Sequence, residues 1–204
     1  MMGILSLTRE RVYDPVLRLI HAWNGFLILL LLASGQGADY IDPATLGFSL
    51  RSLHLLFGYG LLLGLVARLI WGVVGPPHAT WRAMWHPQAW LAAWRQRRIF
   101  VAPMHFGHHP QASAAYLLIY LLLMVMAGTG LALAAIDLNS GPLYTLLGHD
   151  VLSKAWFRQP HEWLHYVFMG FVVVHLAMLI LHEGRHGIPV AQAMVSGYQY
   201  LDKK

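Results

Sequence analysis

The chain's 204 residues are 57% hydrophobic and 11% charged, with a mean hydropathy of +0.52. A soluble domain carries roughly 25% charged residues, so most of this chain has no water to face. The formal charge of +5 does not signal nucleic acid, because the basic residues stand at the ends of apolar runs. Cysteine is absent, which excludes disulfides, thiolate-held iron–sulfur clusters and haem attached through a Cys-x-x-Cys-His motif.

The first apolar stretch, residues 16–37, follows Tyr13-Asp14-Pro15 and carries Arg18, His21 and Gly25. It exceeds the roughly 20 residues that cross a hydrocarbon core, and in lipid only a helix satisfies its backbone. A secretory signal ending near Ala33-Ser34-Gly35 is the competing reading. Arg18 and His21 inside the run oppose it, and its removal would leave an odd number of helices.

A short polar link with Asp39, Asp42 and Pro43 leads to the second stretch, residues 50–74, which holds Arg51, His54 and Gly58. The link from Pro76 to Pro110 mixes Trp81, Trp85, Trp90 and Trp94 with Arg82, Arg95, Arg97 and Arg98, a composition suited to the headgroup region. The third stretch, residues 112–136, contains no histidine. A loop with Gly141, Pro142, Asp150, Lys154 and Arg158 precedes the fourth, residues 161–182, with His161, His165 and His175. The expected fold is all-α: one domain over residues 1–204, a four-helix transmembrane bundle.

Charge sets the expected orientation. Arg9, Arg11, Arg18, Arg68, the middle-link arginines, Arg185, Lys203 and Lys204 fall on one side. Arg51, Lys154 and Arg158 fall on the other, with Asp39, Asp42, Asp137, Asp150 and Glu162. The positive-inside rule places both termini in the cytoplasm.

Histidines in membrane helices are rare, face the interior and are functional candidates by default. His21 lies near the cytoplasmic end of the first helix and His54 near the outer end of the second. His161 and His165 lie near the outer end of the fourth, and His175 towards its inner end. Fourteen residues separate His161 from His175, so they share a face to within about 40° and stand roughly 21 Å apart along the axis. His21 thus has an inner partner in His175, and His54 an outer one in His161 or His165. Two histidine pairs at two depths suit two haem irons, and two axial nitrogens leave no open position for oxygen. Interhelical hydrogen bonding is the bland alternative. A zinc or copper transporter is another, opposed by the lack of intramembrane carboxylates.

Gly25 and Gly58 each follow a histidine by four residues, leaving room for a flat macrocycle or for close helix packing. Arg18 and Arg51 each precede one by three residues, as propionate partners or snorkelling side chains. His78, His86, His105, His108, His109 and His149 lie in loops and read as solvated. His182 and His186 end the fourth helix, and His182 shares the face of His175.

The segment from Tyr13 to Trp23, Arg51-Ser52-Leu53-His54 with Gly58, His161-Glu162 with His175, and Gly107-His108-His109-Pro110 with Thr129-Gly130-Leu131 resemble bacterial cytochrome b561 proteins and the b-type cytochrome subunits of nickel–iron hydrogenases. The resemblance covers nearly the whole chain. It implies a multi-pass protein of the bacterial inner membrane with two b haems, exchanging electrons with the quinone pool and a partner. It makes His21 and His175 the inner iron ligands, and His54 and His161 the outer ones.

The functional expectation is electron transfer between a periplasmic partner, a hydrogenase or c-type cytochrome, and quinone. A superoxide:quinone oxidoreductase acting alone is the first alternative. Arg51, Lys154 and Arg158 would steer the anion, offset by the five acids beside them. A histidine-lined metal transporter and a haem-free structural anchor complete the set.

Overall fold

A computed structural model describes residues 7–38, 40–41, 49–96, 110–148, 150–186 and 191–202. In chain order these form β1 (Leu7–Arg11), α1 (Pro15–Gly37), α2 (Leu50–Val74), a 3-10 turn (Pro77–Ala79), α3 (Trp81–Met84) and α4 (Pro87–Arg95). There follow α5 (Pro110–Leu138), α6 (Tyr144–Leu147), a second 3-10 turn (Val151–Ser153), α7 (Lys154–His186), α8 (Ala191–Ser196) and β2 (Tyr198–Asp202).

Four helices are long and apolar enough to cross a membrane, over Pro15–Gly37, Leu50–Val74, Ala112–Leu138 and Lys154–Leu181. They are the four expected. Apolar side chains such as Leu19, Val73 and Ile180 stand exposed on them, as lipid as solvent requires. The fourth begins seven residues earlier than expected and carries Pro160 inside it. Proline forfeits one backbone bond and reads in sequence as a boundary, yet here the helix passes through it.

The chain divides into two compact units. One comprises Met1–His21, Ala67–Ile119 and Val174–Lys204; the other comprises Ala22–Val66 and Tyr120–Val173. In the first, Asp14 starts α1: its Oδ1 accepts the Val16 and Leu17 N–H groups, each at 3.0 Å, with Pro15 at the first helical position. The same oxygen accepts the Trp71 indole N–H at 3.1 Å, which ties the start of α1 to the end of α2. Arg68 is buried to 2% exposure. Its guanidinium lies 4.2 Å from the Trp81 ring centre and donates to the Met84 sulfur at 3.5 Å. Trp81 donates in turn to the Leu69 carbonyl and Trp90 to that of Pro110. Two of the four tryptophans of the middle link are therefore structural, while Trp85 and Trp94 stay exposed.

The first unit also holds the one departure from an all-α fold among the described residues. β1 and β2 pair antiparallel, from Leu7 opposite Asp202 to Arg11 opposite Tyr198. Gly197, at φ +87°, turns the chain into β2, a backbone conformation that suits glycine. Its carbonyl accepts the N–H groups of Val12 and Tyr13. Burial, and then Tyr116 nearby, pushes the Tyr13 phenol up to about 12, so it remains neutral at physiological pH.

In the second unit α1 and α2 pack closely. Trp23 Nε1 donates to the Gly60 carbonyl at 2.9 Å, and Gly64 lies against the side chains of Asn24 and Trp23 with no room for a β-carbon. Close approach through glycine is the usual device where lipid supplies no hydrophobic drive between helices. Lys154 Nζ bridges to Asp137 Oδ1 at 2.6 Å, joining the start of α7 to the end of α5.

Candidate haem-binding site

Among the described residues, each unit contains a histidine pair in ring contact. In the first, α1 supplies His21 and α7 supplies His175, with ring centres 6.3 Å apart and an interplanar angle of 64°. In the second, α2 supplies His54 and α7 supplies His161, again 6.3 Å apart, at 74°. The helical period explains why one helix serves both pairs, since residues fourteen apart return to nearly the same face. Two imidazoles bonded to opposite sides of one metal at about 2.0 Å, each nitrogen about 1.2 Å from its ring centre, would stand about 6.4 Å apart. Both pairs, at 6.3 Å, lie close to that spacing.

The alternative outer candidate, His165, is engaged elsewhere. Its Nε2 lies 3.3 Å from Gln36 Oε1, and its ring meets the Tyr166 ring edge-on at 5.4 Å. Ring to ring, His54 meets His161.

Three further observations bear on a bound macrocycle. A β-carbon at Gly25 or Gly58 would meet nothing within 4 Å among the described residues, so the backbone one turn beyond His21 and His54 has room beside it. Arg18, in the unit of His21 and His175, gives one Nη1 to the Val195 carbonyl at 2.9 Å. Its buried Nε meets no acceptor among the described residues, which leaves a donor for an anionic group such as a propionate. Finally, no group of three or more histidine, aspartate or glutamate side chains suited to a metal ion occurs among the described residues. A pair of imidazoles needs the remaining equatorial positions filled by something other than protein, as a porphyrin fills them.

Arg51 is exposed in the first turn of α2. Lys154 and Arg158 are ion-paired with Asp137 and Glu162. The loop histidines His105, His108, His109 and His149 lie outside the described residues.

Two polar residues, Ser34 and Thr129, meet the histidines of the second unit. Ser34 Oγ lies 3.1 Å from His54 Nδ1, and Thr129 Oγ1 lies 3.0 Å from His161 Nδ1. Serine and threonine are common in membrane helices, so neither carries a signal until a histidine on another helix is known to face it.

The chain was compared with known proteins. The prokaryotic cytochrome b561 family model matches residues 12–197. A protein of Azotobacter chroococcum mcd 1 named "Probable Ni/Fe-hydrogenase B-type cytochrome subunit" is 26% identical, over 93% of this chain and 86% of its own. Its namesake in Azotobacter vinelandii is also 26% identical with the same coverage. That of Bradyrhizobium diazoefficiens is 22% identical over 91% of this chain and 84% of its own. No solved structure matches the chain. The match over most of the chain, the four apolar helices and the histidine pairs agree: the chain belongs to the prokaryotic cytochrome b561 family and is a multi-pass membrane b-type cytochrome of electron transfer, with haem b as its cofactor.

Proposed function

We propose that this protein is a di-haem cytochrome of the bacterial inner membrane, with both termini cytoplasmic, carrying electrons between a periplasmic redox partner and the quinone pool. The observation that carries the two-haem reading is the equal 6.3 Å spacing of the His21–His175 and His54–His161 pairs. His21 and His175 are the axial ligands of an inner haem, His54 and His161 those of an outer one. Arg18 supports the inner propionates, and Arg51 the outer. His165 is not a ligand in this reading.

Bound haem supplies one-electron chemistry between ferric and ferrous iron at fixed coordination. The chain's own part is to hold two imidazoles at a set spacing and to exclude a third ligand. Low-charge helices around each pair disfavour net charge on the site, which is the protein's means of tuning potential.

The relatives' names support a hydrogenase as the partner; a c-type cytochrome would meet the same requirement. The superoxide reading needs a cationic funnel towards the outer haem, whereas Lys154 and Arg158 are neutralised by acids within 2.7 Å. A metal transporter needs clusters of three or four protein ligands, and the described histidines form pairs.

Affinity purification from native membranes tests the partner. Recovery of a hydrogenase or a cytochrome c supports the electron-transfer subunit. A partner-free protein that consumes superoxide with quinone would replace it with the oxidoreductase reading.

A further inference from the structure

The hydroxyls of Ser34 and Thr129 sit in two copies of one local arrangement. On α1, Ser34 Oγ contacts His54 Nδ1 at 3.1 Å, and the next residue, Gly35, leaves room for that ring: a β-carbon there would stand 3.2 Å from His54 Cε1. On α5, Thr129 Oγ1 contacts His161 Nδ1 at 3.0 Å, and a β-carbon at Gly130 would stand 3.1 Å from His161 Cε1. A hydroxyl followed by a glycine thus meets each imidazole of the outer pair from a neighbouring helix. Ser34 is 6% exposed and Thr129 9%, so water does not compete.

The direction of each bond follows from proton counting. A hydroxyl has one proton to donate. Ser34 Oγ also lies 3.3 Å from the Leu31 carbonyl, and Thr129 Oγ1 lies 3.0 Å from the carbonyls of Val125 and Met126. A carbonyl only accepts, and the Leu31 and Met126 backbones also hydrogen-bond the His54 and His161 imidazoles. With each hydroxyl proton given to its own helix, the oxygen lone pair faces Nδ1, and an imidazole N–H satisfies both the hydroxyl oxygen and the carbonyl. That tautomer leaves Nε2 unprotonated in both rings, the form that binds a metal.

We propose that Ser34-Gly35 and Thr129-Gly130 are paired positioning elements that fix the tautomer and rotation of His54 and His161 for an outer haem. The hydroxyls select Nδ1–H, and the glycines admit the ring edge close enough for the bond to form. The inference rests on reading His54 and His161 as ligands. An Nδ1–H donating to oxygen makes the imidazole a stronger donor, which stabilises ferric over ferrous iron. These are positioning residues, since they act on the iron only through the histidines.

The test uses purified holoprotein with electron paramagnetic resonance of the low-spin ferric haems, a redox titration and haem loss to a competing apo-globin. Thr129→Val keeps the side-chain shape and removes the hydroxyl; Ser34→Ala does the same for the other ring. Each should move one of two ferric signals, raise the potential of that component, and weaken its haem by about 10–100-fold, as loss of an outer-shell partner does at metal sites. Thr129→Ser should behave as wild type, and Gly130→Ala should shift the same signal as Thr129→Val. If Thr129→Val leaves signal, potential and retention unchanged, the proposal is overturned while the ligand assignment stands. If Thr129→Ser matches Thr129→Val, methyl packing and not the hydroxyl is responsible, which also overturns it. A wild type with no bis-histidine low-spin signal would remove the ligand reading and this proposal together.

Discussion

His54 on α2 and His161 on α7 hold their rings 6.3 Å apart, centre to centre, at an interplanar angle of 74°. The relationship makes a sharp distinction between His161 and its neighbour one turn on. His161→Ala should lower extracted haem from two per chain to about one, whereas His165→Ala should leave two. Pyridine haemochrome assay per mole of protein measures both. The reverse result would make His165 the outer ligand.

The His21–His175 pair should behave independently. His21→Ala and His175→Ala should each remove one haem and leave the other with its potential changed little. His21 and His175 fall in one compact unit of the chain and His54 and His161 in the other. A redox titration of the α-band should show a single remaining component. Loss of both haems in either variant would contradict the assignment of separate sites.

Gly64 predicts a packing defect without a ligand change. A β-carbon there would overlap the Asn24 and Trp23 side chains, and overpacking of this kind costs about 1–3 kcal/mol. Gly64→Ala should therefore lower the Tm in detergent while the reduced spectrum keeps its band positions. An unchanged Tm would show that α1 and α2 can separate at no cost.

Asp14 joins a helix cap to an indole, and its loss should be felt at both. Asp14→Ala removes an acceptor from the Val16 and Leu17 N–H groups and from Trp71. A lost cap costs about 1 kcal/mol, and an unsatisfied indole N–H adds about 1–3 kcal/mol if it stays buried. Asp14→Asn, which keeps an acceptor oxygen, should lose less. Thermal unfolding with haem content held constant compares them.

The four spanning helices were legible in the sequence because lipid removes the ambiguity of short apolar runs: about twenty such residues can only be a helix. Depth and the helical period also set His21 beside His175, whose rings lie 6.3 Å apart. The choice between His161 and His165 was not legible. Four residues along a helix keep both on adjoining faces, and only the positions of α1 and α2 show that Gln36 meets one and His54 the other. The β1–β2 ribbon escaped because its five-residue strands lie at opposite ends of the chain and pair through backbone, with no alternating pattern long enough to read. The start of α7 escaped because Pro160 mimics a boundary. The contacts of Ser34 and Thr129 with His54 and His161 were not legible, because a hydroxyl gains its meaning from what faces it.

Membrane orientation rests on charge and has its own check. A green fluorescent protein fused after Lys204 should fluoresce, and an alkaline phosphatase fused there should be inactive, if the C-terminus is cytoplasmic. The opposite pair of results would invert the topology and exchange the inner and outer haems.

The measurement that bears most directly on the central claim is the reduced-minus-oxidised visible spectrum of the purified protein, with extracted haem counted per chain. Two paired imidazoles per haem predict a six-coordinate low-spin b-type spectrum and about two haems per chain, unchanged by carbon monoxide because no axial position is open. One haem, a carbon monoxide-binding spectrum, or no haem after expression with ample supply would contradict the claim that both histidine pairs hold iron.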